Sequence, residues 1–452
     1  MTSAVANPKQ FELTAEQQAA LNARGHSVAL SAGAGCGKTF VLTERFIAHL
    51  QPEAGEAETV DKLHELIAIT FTDRAAREMR DRIRSKCAQR LEQLPANAPP
   101  EQVRYWVRLL RKLDTARIST IHSFCGALLR SHAVEAGIDP RFSVVEQSQT
   151  ETLLSELVED VLREKLSRQD EDVIKLCVDF GLDSLHNMIA SLLSYGRAID
   201  FDAWLARTPA EITTIWQRFH QQHVVSAVLR MITQSTASRR LISFLESLAE
   251  VPTTLETARS LLLTELPGLA NSKRPQAVLV EMHEVARLPK GGKKVWASEE
   301  LSDQFRDLAK SFRDQIDKRT NSLEFDPQAA EIDAKAGKQF LALARVVHDR
   351  YAAKKKELAW LDFNDLLTGA HRLLTDPANP RLREELSSQV KLLLVDECQD
   401  TDPLQVELIT SLCGDLAAGG KLFFVGDFKQ SIYRFRGADP SVFLALQQQT
   451  PP

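Results

Sequence analysis

The sequence predicts an α/β fold: a parallel sheet interrupted by a large, mostly helical insertion. Three observations carry that expectation. Short apolar runs alternate with helical stretches as far as about Glu146, the pattern of a parallel sheet. From about Gln147 to about Lys356 apolar residues recur at helical spacing, as in ETLLSELVEDVLREKL, and convincing strands are few. Beyond Leu358 the buried-strand signature returns in VKLLLVDE and KLFFVGD. The expected organisation is a first sheet portion over 1–146, a helical insertion over 147–356 and a second sheet portion over 357–452.

Within the first portion SVALSA, LIAITF, ARISTI and FSVV read as strands, most of them followed by helices. Inside the insertion TTLETARSLLLTEL reads as a helix and PKGGKK, 289–294, as a loop. HQQH, 220–223, has a spacing that could hold a metal. No acidic or cysteine partner stands near it in sequence, so a solvated helix face is the expected reading.

A length of 452 residues implies two or three domains, and 44% hydrophobic content supplies a sizeable core. The net charge of −5 excludes a globally basic nucleic-acid coat but leaves room for a local basic groove. The six cysteines form no CxxC pair, so neither a zinc site nor an iron–sulfur cluster is suggested. A reduced, cytoplasmic compartment is expected. The N-terminal MTSAVANPKQFEL has no apolar signal-peptide core, and no apolar run is long enough to span a membrane.

SAGAGCGKTF, Ser31 to Phe40, lies between an apolar strand and an amphipathic helix. Small residues allow successive backbone N–H groups to curl around an anion at a helix N-terminus. Ala32, Gly33, Ala34, Gly35, Cys36, Gly37, Lys38, Thr39 and Phe40 are therefore the expected nucleotide-binding segment. Lys38 is placed to reach the β- and γ-phosphates of ATP, and the Thr39 hydroxyl to ligate Mg²⁺. The usual pattern begins with Gly, and here Ala32 stands in that place. The competing reading, a Gly-rich turn with a surface lysine, is disfavoured by the flanking strand and helix.

KLLLVDECQD, Lys391 to Asp400, ends an apolar strand in two carboxylates, where ligands bind in open α/β sheets. Asp396 is expected to hold Mg²⁺ and Glu397 to orient and deprotonate an attacking water. Solvated acids capping a strand are the alternative. In KLFFVGDFKQSIYRFRGADP, Gln430 stands three residues past Asp427, at a strand end where an amide can sense a γ-phosphate. YRFRG puts two aromatics and two arginines in one short loop, a composition suited to bases and phosphates.

These motifs together resemble UvrD/Rep-type DNA helicases, in particular the N-terminal motor half of the AddA/RecB-like branch. LTAEQQAAL resembles the Q motif, SAGAGCGKT motif I, ITFTDRAAREMRDRI motif Ia and TIHSFC a DNA-contacting segment. LDFNDLL matches a further family motif, VDECQDTDPLQ resembles motif II and VGDFKQSIYRFRGAD motif III. Ala at the first position of motif I is normal in this family; Asp73 and Cys398 depart from its commoner residues. The resemblance covers the two ends of the chain and little of the helical middle. It implies a RecA-like ATPase domain using ATP and Mg²⁺, with Gln17 reading the adenine edge. It also implies contacts to single-stranded DNA from Phe71, Thr72, Thr120, His122, Tyr433, Phe435 and Arg436.

The residues offer their own support: seven Lys/Arg against two acids between Arg74 and Arg90 make a track for a phosphodiester backbone. A buried aromatic or a capping hydroxyl is the plainer reading for any one of these contacts. The family implies more than this stretch carries: a second motor domain or chain with motifs IV to VI, a nuclease, and an AddB/RecC-like subunit. Double-stranded DNA is an implied partner and double-strand-break repair the implied setting. A module that holds ATP and DNA without turnover is the second expectation. A small-molecule kinase leaves the Q motif, TIHSFC and YRFRG unexplained.

Overall fold

The computed structural model describes residues 13–33, 35–51, 60–194, 199–249, 253–272, 274–287, 296–377, 380–414, 419–431 and 440–449. The chain divides into two compact units, Met1–Leu153 with Tyr351–Pro452, and Leu154–Arg350. The two junctions fall inside the helices Gln147–Ser167 and Pro327–Glu357.

The first unit is built on β1 (Val28–Ser31), β2 (Leu66–Thr70), β3 (Arg117–Thr120), β4 (Ser143–Val144), β5 (Trp360–Leu361), β6 (Leu392–Val395) and β7 (Leu422–Gly426). Five of these form one sheet in the order β1-β7-β6-β2-β3, with every neighbouring pair parallel. Its inner strands read as continuous apolar runs because both faces are covered, as a parallel sheet requires. Ile67, Ile69, Leu393, Val395, Leu422 and Phe424 point into one core. Leu66, Ala68, Leu392, Leu394, Phe423 and Val425 point into the other. The alternation is the two-residue period of a pleated strand.

The helices of this unit include α1 (Ala15–Asn22), α2 (Lys38–Leu50), α3 (Asp73–Glu92), α4 (Pro100–Lys112), α5 (Ile121–Ser131), α6 (Phe363–Thr375) and α7 (Pro403–Cys413). The apolar residues of α2, α3 and α4 join the core that holds Phe423. Those of α5, α6 and α7 join the core that holds Phe424. Parallel neighbours bring the C-terminal ends of β1, β7, β6 and β2 to one edge of the sheet, and the sequence motifs sit on that edge.

FSVV does not extend this sheet. Only Ser143–Val144 is extended, and it pairs with β5 in a separate two-stranded sheet. The reason lies in its hydrogen bonds: Ser143 N donates to Ala359 O at 2.9 Å and Val145 N to Leu361 O at 3.0 Å, so its ladder is taken by a segment over two hundred residues on.

The second unit is helical throughout its described residues. Leu241, Leu245, Met282, Phe305 and Phe312 are among the side chains that fill its core. HQQH begins a π-helical turn, His220–Val225, and is only partly a solvated face: the His220 ring lies 2.9 Å from Ser322 O. Among the described residues no helix is long and apolar enough to cross a membrane.

Candidate functional site

β1 leads directly into the phosphate loop. Ala32 N donates to Gly426 O at 3.2 Å, extending the pairing with β7 by one bond. The chain then turns through Gly35 and Gly37, both at φ +78°, a left-handed conformation that any L side chain would strain. Gly37 is the residue before α2, so the helix starts at Lys38 with its first N–H groups at the loop. Cys36 is exposed, and the Phe40 ring lies 5.1 Å from the Lys86 ammonium. Thr39 belongs to the first turn; its carbonyl accepts from Thr43 Oγ1 at 2.8 Å.

Gln17 reaches this loop from α1. Its Nε2 donates to Cys36 O at 2.9 Å, and its Oε1 accepts from Thr14 N at 3.0 Å in a capping box. One bond at each end leaves the amide a second N–H donor and a second oxygen lone pair, the pair that reading an adenine edge would use. Ala34, Tyr433, Phe435 and Arg436 lie outside the described residues.

Lys38 is nearly buried, and its Nζ lies 3.2 Å from Glu397 Oε2, 359 residues away. Asp396, at the end of β6, is buried; its N–H donates to Ile69 O at 2.9 Å and its Oδ1 accepts from Glu397 N at 3.0 Å. Burial, and after it the neighbouring Glu397 charge, push the Asp396 carboxyl up to about 6, against the Glu397 N–H and then Lys38. A buried carboxylate so poorly compensated, beside a loop that offers the Thr39 hydroxyl, is a suitable donor set for a hard divalent cation. Glu397 holds a left-handed backbone at φ +52°, a strained position for a side-chain-bearing residue and of a kind that clusters at functional sites.

Gln430 is tied back to its own strand end: Nε2 donates to Asp427 Oδ2 at 2.5 Å. One residue that the sequence reading passed over completes the group. Gln399 is 2% exposed and joins the two strand ends, with Nε2 2.7 Å from Glu397 Oε2 and Oε1 2.9 Å from Asp427 N.

Beside this edge lies a cavity of about 520 Å³. Phe71, Thr72, Thr120 and His122, all expected to contact DNA, line it together. Thr72 and Thr120 are the N-caps of α3 and α5, accepting from Ala75 N at 3.1 Å and Ser123 N at 3.3 Å. The capping reading and the lining reading hold at once, since each hydroxyl sits where a helix N-terminus opens into the cavity. Burial lowers the His122 pKa, opposed by Asp402 and Asp73.

Two lining residues were missed. Phe363, half exposed, meets the His122 ring edge-on at 5.1 Å. Arg130 follows His122 by eight residues on α5 with Gly126 between them, a spacing that puts all three on one face. LDFNDLL and that spacing were the available signals. Phe363 is fixed by a buried knot: Lys355 Nζ lies 2.9 Å from Asp362 Oδ2 and 2.6 Å from Asp365 Oδ2, and those two acids cap α6.

The basic run on α3 is less open than its composition suggests. Arg74 pairs with Glu78, Arg84 with Asp114 and Lys86 with Glu44, while Arg80 donates to Ile118 O. Acids from elsewhere in the chain pair with two of the seven cations, Arg84 and Lys86.

The UvrD/REP helicase N-terminal domain family matches residues 13–451. Similar proteins include an ATP-dependent helicase/nuclease subunit from Pediococcus pentosaceus, 30% identical over 97% of this chain and 36% of its own length. The protein of the same name from Bacillus cytotoxicus is 31% identical over 97% and 36%. That from Carboxydothermus hydrogenoformans is 28% identical over 95% and 36%. The chain thus spans little more than a third of these relatives. With the match running through nearly all of its residues, the chain belongs to the UvrD/REP helicase N-terminal domain family.

Proposed function

We propose that this chain is the ATP- and single-stranded-DNA-binding part of a DNA helicase motor, of the kind carried by AddA-like helicase–nuclease proteins in double-strand-break repair. The observation that carries the reading is the meeting of Lys38 with Glu397 at 3.2 Å at the sheet edge, beside buried Asp396. In this reading the loop amides and Lys38 hold the phosphates, and Thr39 and Asp396 hold Mg²⁺. Bound Mg²⁺ would neutralise charge on the β- and γ-phosphate oxygens. Glu397, released from Lys38 when that ammonium turns to the phosphates, would orient and deprotonate water. Gln430 would sense the γ-phosphate. The helical unit would be an insertion in a RecA-like domain. A second motor domain, from a longer product or a separate chain, would close the cleft and deliver the arginine that stabilises the transferred phosphoryl. Duplex DNA and an AddB/RecC-like subunit are the further partners this reading carries, and the cytoplasm its setting.

Phe71, Phe363 and His122 would stack on or bond the strand in the 520 Å³ cavity, with Arg130 at a phosphate. Binding tests the reading: a fluorescent ATP analogue and a labelled oligo(dT) should each bind. Lys38→Ala should weaken nucleotide binding and Phe363→Ala oligonucleotide binding, each without the other. A chain that binds neither refutes it.

A further inference from the structure

We propose that Gln399 is a positioning residue for hydrolysis, holding the Glu397 carboxylate in place while Lys38 leaves it for the phosphates. The inference rests on the reading of Glu397 as the base.

In the structure Glu397 Oε2 receives two donors, Lys38 Nζ at 3.2 Å and Gln399 Nε2 at 2.7 Å. A phosphate-bound Lys38 would take one of them away. A carboxylate on a strained, left-handed residue would then swing unless something else fixed it. Gln399 is the donor that stays, because its anchor is the Asp427 N–H and not a phosphate. Its amide is 2% exposed and its orientation is dictated by its neighbours. Oε1 must accept from the Asp427 N–H at 2.9 Å, so Nε2 must face Glu397 at 2.7 Å and Asp400 Oδ2 at 3.4 Å. Flipped, the amide would set its oxygen against two carboxylates and an N–H against an N–H.

The other end of the same amide gives the bond a second consequence. Asp427 N is the first amide past β7, and Asp427 Oδ2 holds Gln430 Nε2 at 2.5 Å. One buried side chain therefore spans the base just past β6 and the sensor segment after β7. A displacement of Gln430 toward a γ-phosphate shifts Asp427, and Gln399 passes that shift to Glu397. The residue touches no reacting atom in this scheme; it acts through Glu397.

The test is single-turnover hydrolysis of trace ATP by excess full chain with oligo(dT), where even slow cleavage registers. Gln399→Leu and Gln399→Glu are compared with the parent and Glu397→Gln. Thermal unfolding and ATP affinity are read on each. The expected result is a hydrolysis rate lowered by about 10–100-fold in Gln399→Leu, with ATP affinity within about twofold of the parent. Gln399→Glu keeps the acceptor for Asp427 but presents an anion to Glu397, and should lose at least as much rate. A purely structural role predicts the reverse order, with the polar isostere keeping more activity than Leu. A folded Gln399→Leu that cleaves within about twofold of the parent, or that reverse order, overturns the inference and leaves the proposed function standing. A parent that binds ATP and never cleaves it removes the base from Glu397, and the role of Gln399 with it.

Discussion

Asp396→Asn should stabilise the nucleotide-free protein. The carboxyl is 8% exposed, and burial with the adjacent Glu397 raises it from 3.8 to about 6. A difference of about two units corresponds to about 3 kcal/mol between protonation states. The sign follows from linkage. Between about pH 4 and 6 the folded state binds a proton that the unfolded state has released, so stability falls as pH rises through that window. Above about 6 the carboxylate is charged in both states and the folded state carries the full penalty. Asparagine keeps an oxygen for the Glu397 N–H, now 3.0 Å from Oδ1, and removes the charge. The gain over the parent should approach about 3 kcal/mol at pH 7.5 and vanish below about pH 4. For a unit of this size that is a rise of roughly 6 °C or more in Tm. Scanning calorimetry at both pH values, without nucleotide, reads it. Added Mg²⁺ with ATP should narrow the gap by stabilising the parent more than the variant. A variant that melts with the parent at pH 7.5, or whose advantage persists at pH 4, would refute the placement of an uncompensated charge at the end of β6.

Other perturbations separate the site from its scaffold. Gly420 has φ +58°, and a Cβ there would meet Arg24 O at 2.6 Å, so Gly420→Ala should cost more than about 1 kcal/mol by denaturant unfolding and leave ATP affinity unchanged where folded. Lys355→Met breaks a buried knot with Asp362 and Asp365 and should cost about 3–5 kcal/mol; a loss below 1 would mean the knot is solvated. Phe363→Ala should weaken oligo(dT) binding by about 1–3 kcal/mol without changing ATP affinity, read by fluorescence anisotropy at fixed salt.

What could be read from the sequence was local. LLLV and LFFV announce doubly buried strands because both side-chain rows are apolar, and the small residues of SAGAGCGKT announce a turn, which the chain makes at Gly35 and Gly37 with positive φ. What could not be read depends on partners far along the chain. The charge of α3 looked open until Asp114 and Glu44 were seen to pair with Arg84 and Lys86. FSVV carried a strand pattern, but its partner is Trp360–Leu361 and not the main sheet. Gln399 lies in plain view inside DECQD, yet its bond to Asp427 N exists only because β6 and β7 are neighbours. Phe363 opens a helix whose N-cap is held by Lys355, and only that fold brings it to His122.

Steady-state ATP hydrolysis by the chain, with and without single-stranded DNA and beside Glu397→Gln, tests the central claim most directly. The account predicts DNA-stimulated turnover that the substitution lowers by about 10²–10⁴-fold while nucleotide still binds. Turnover indifferent to DNA, or equal in the variant, would contradict it.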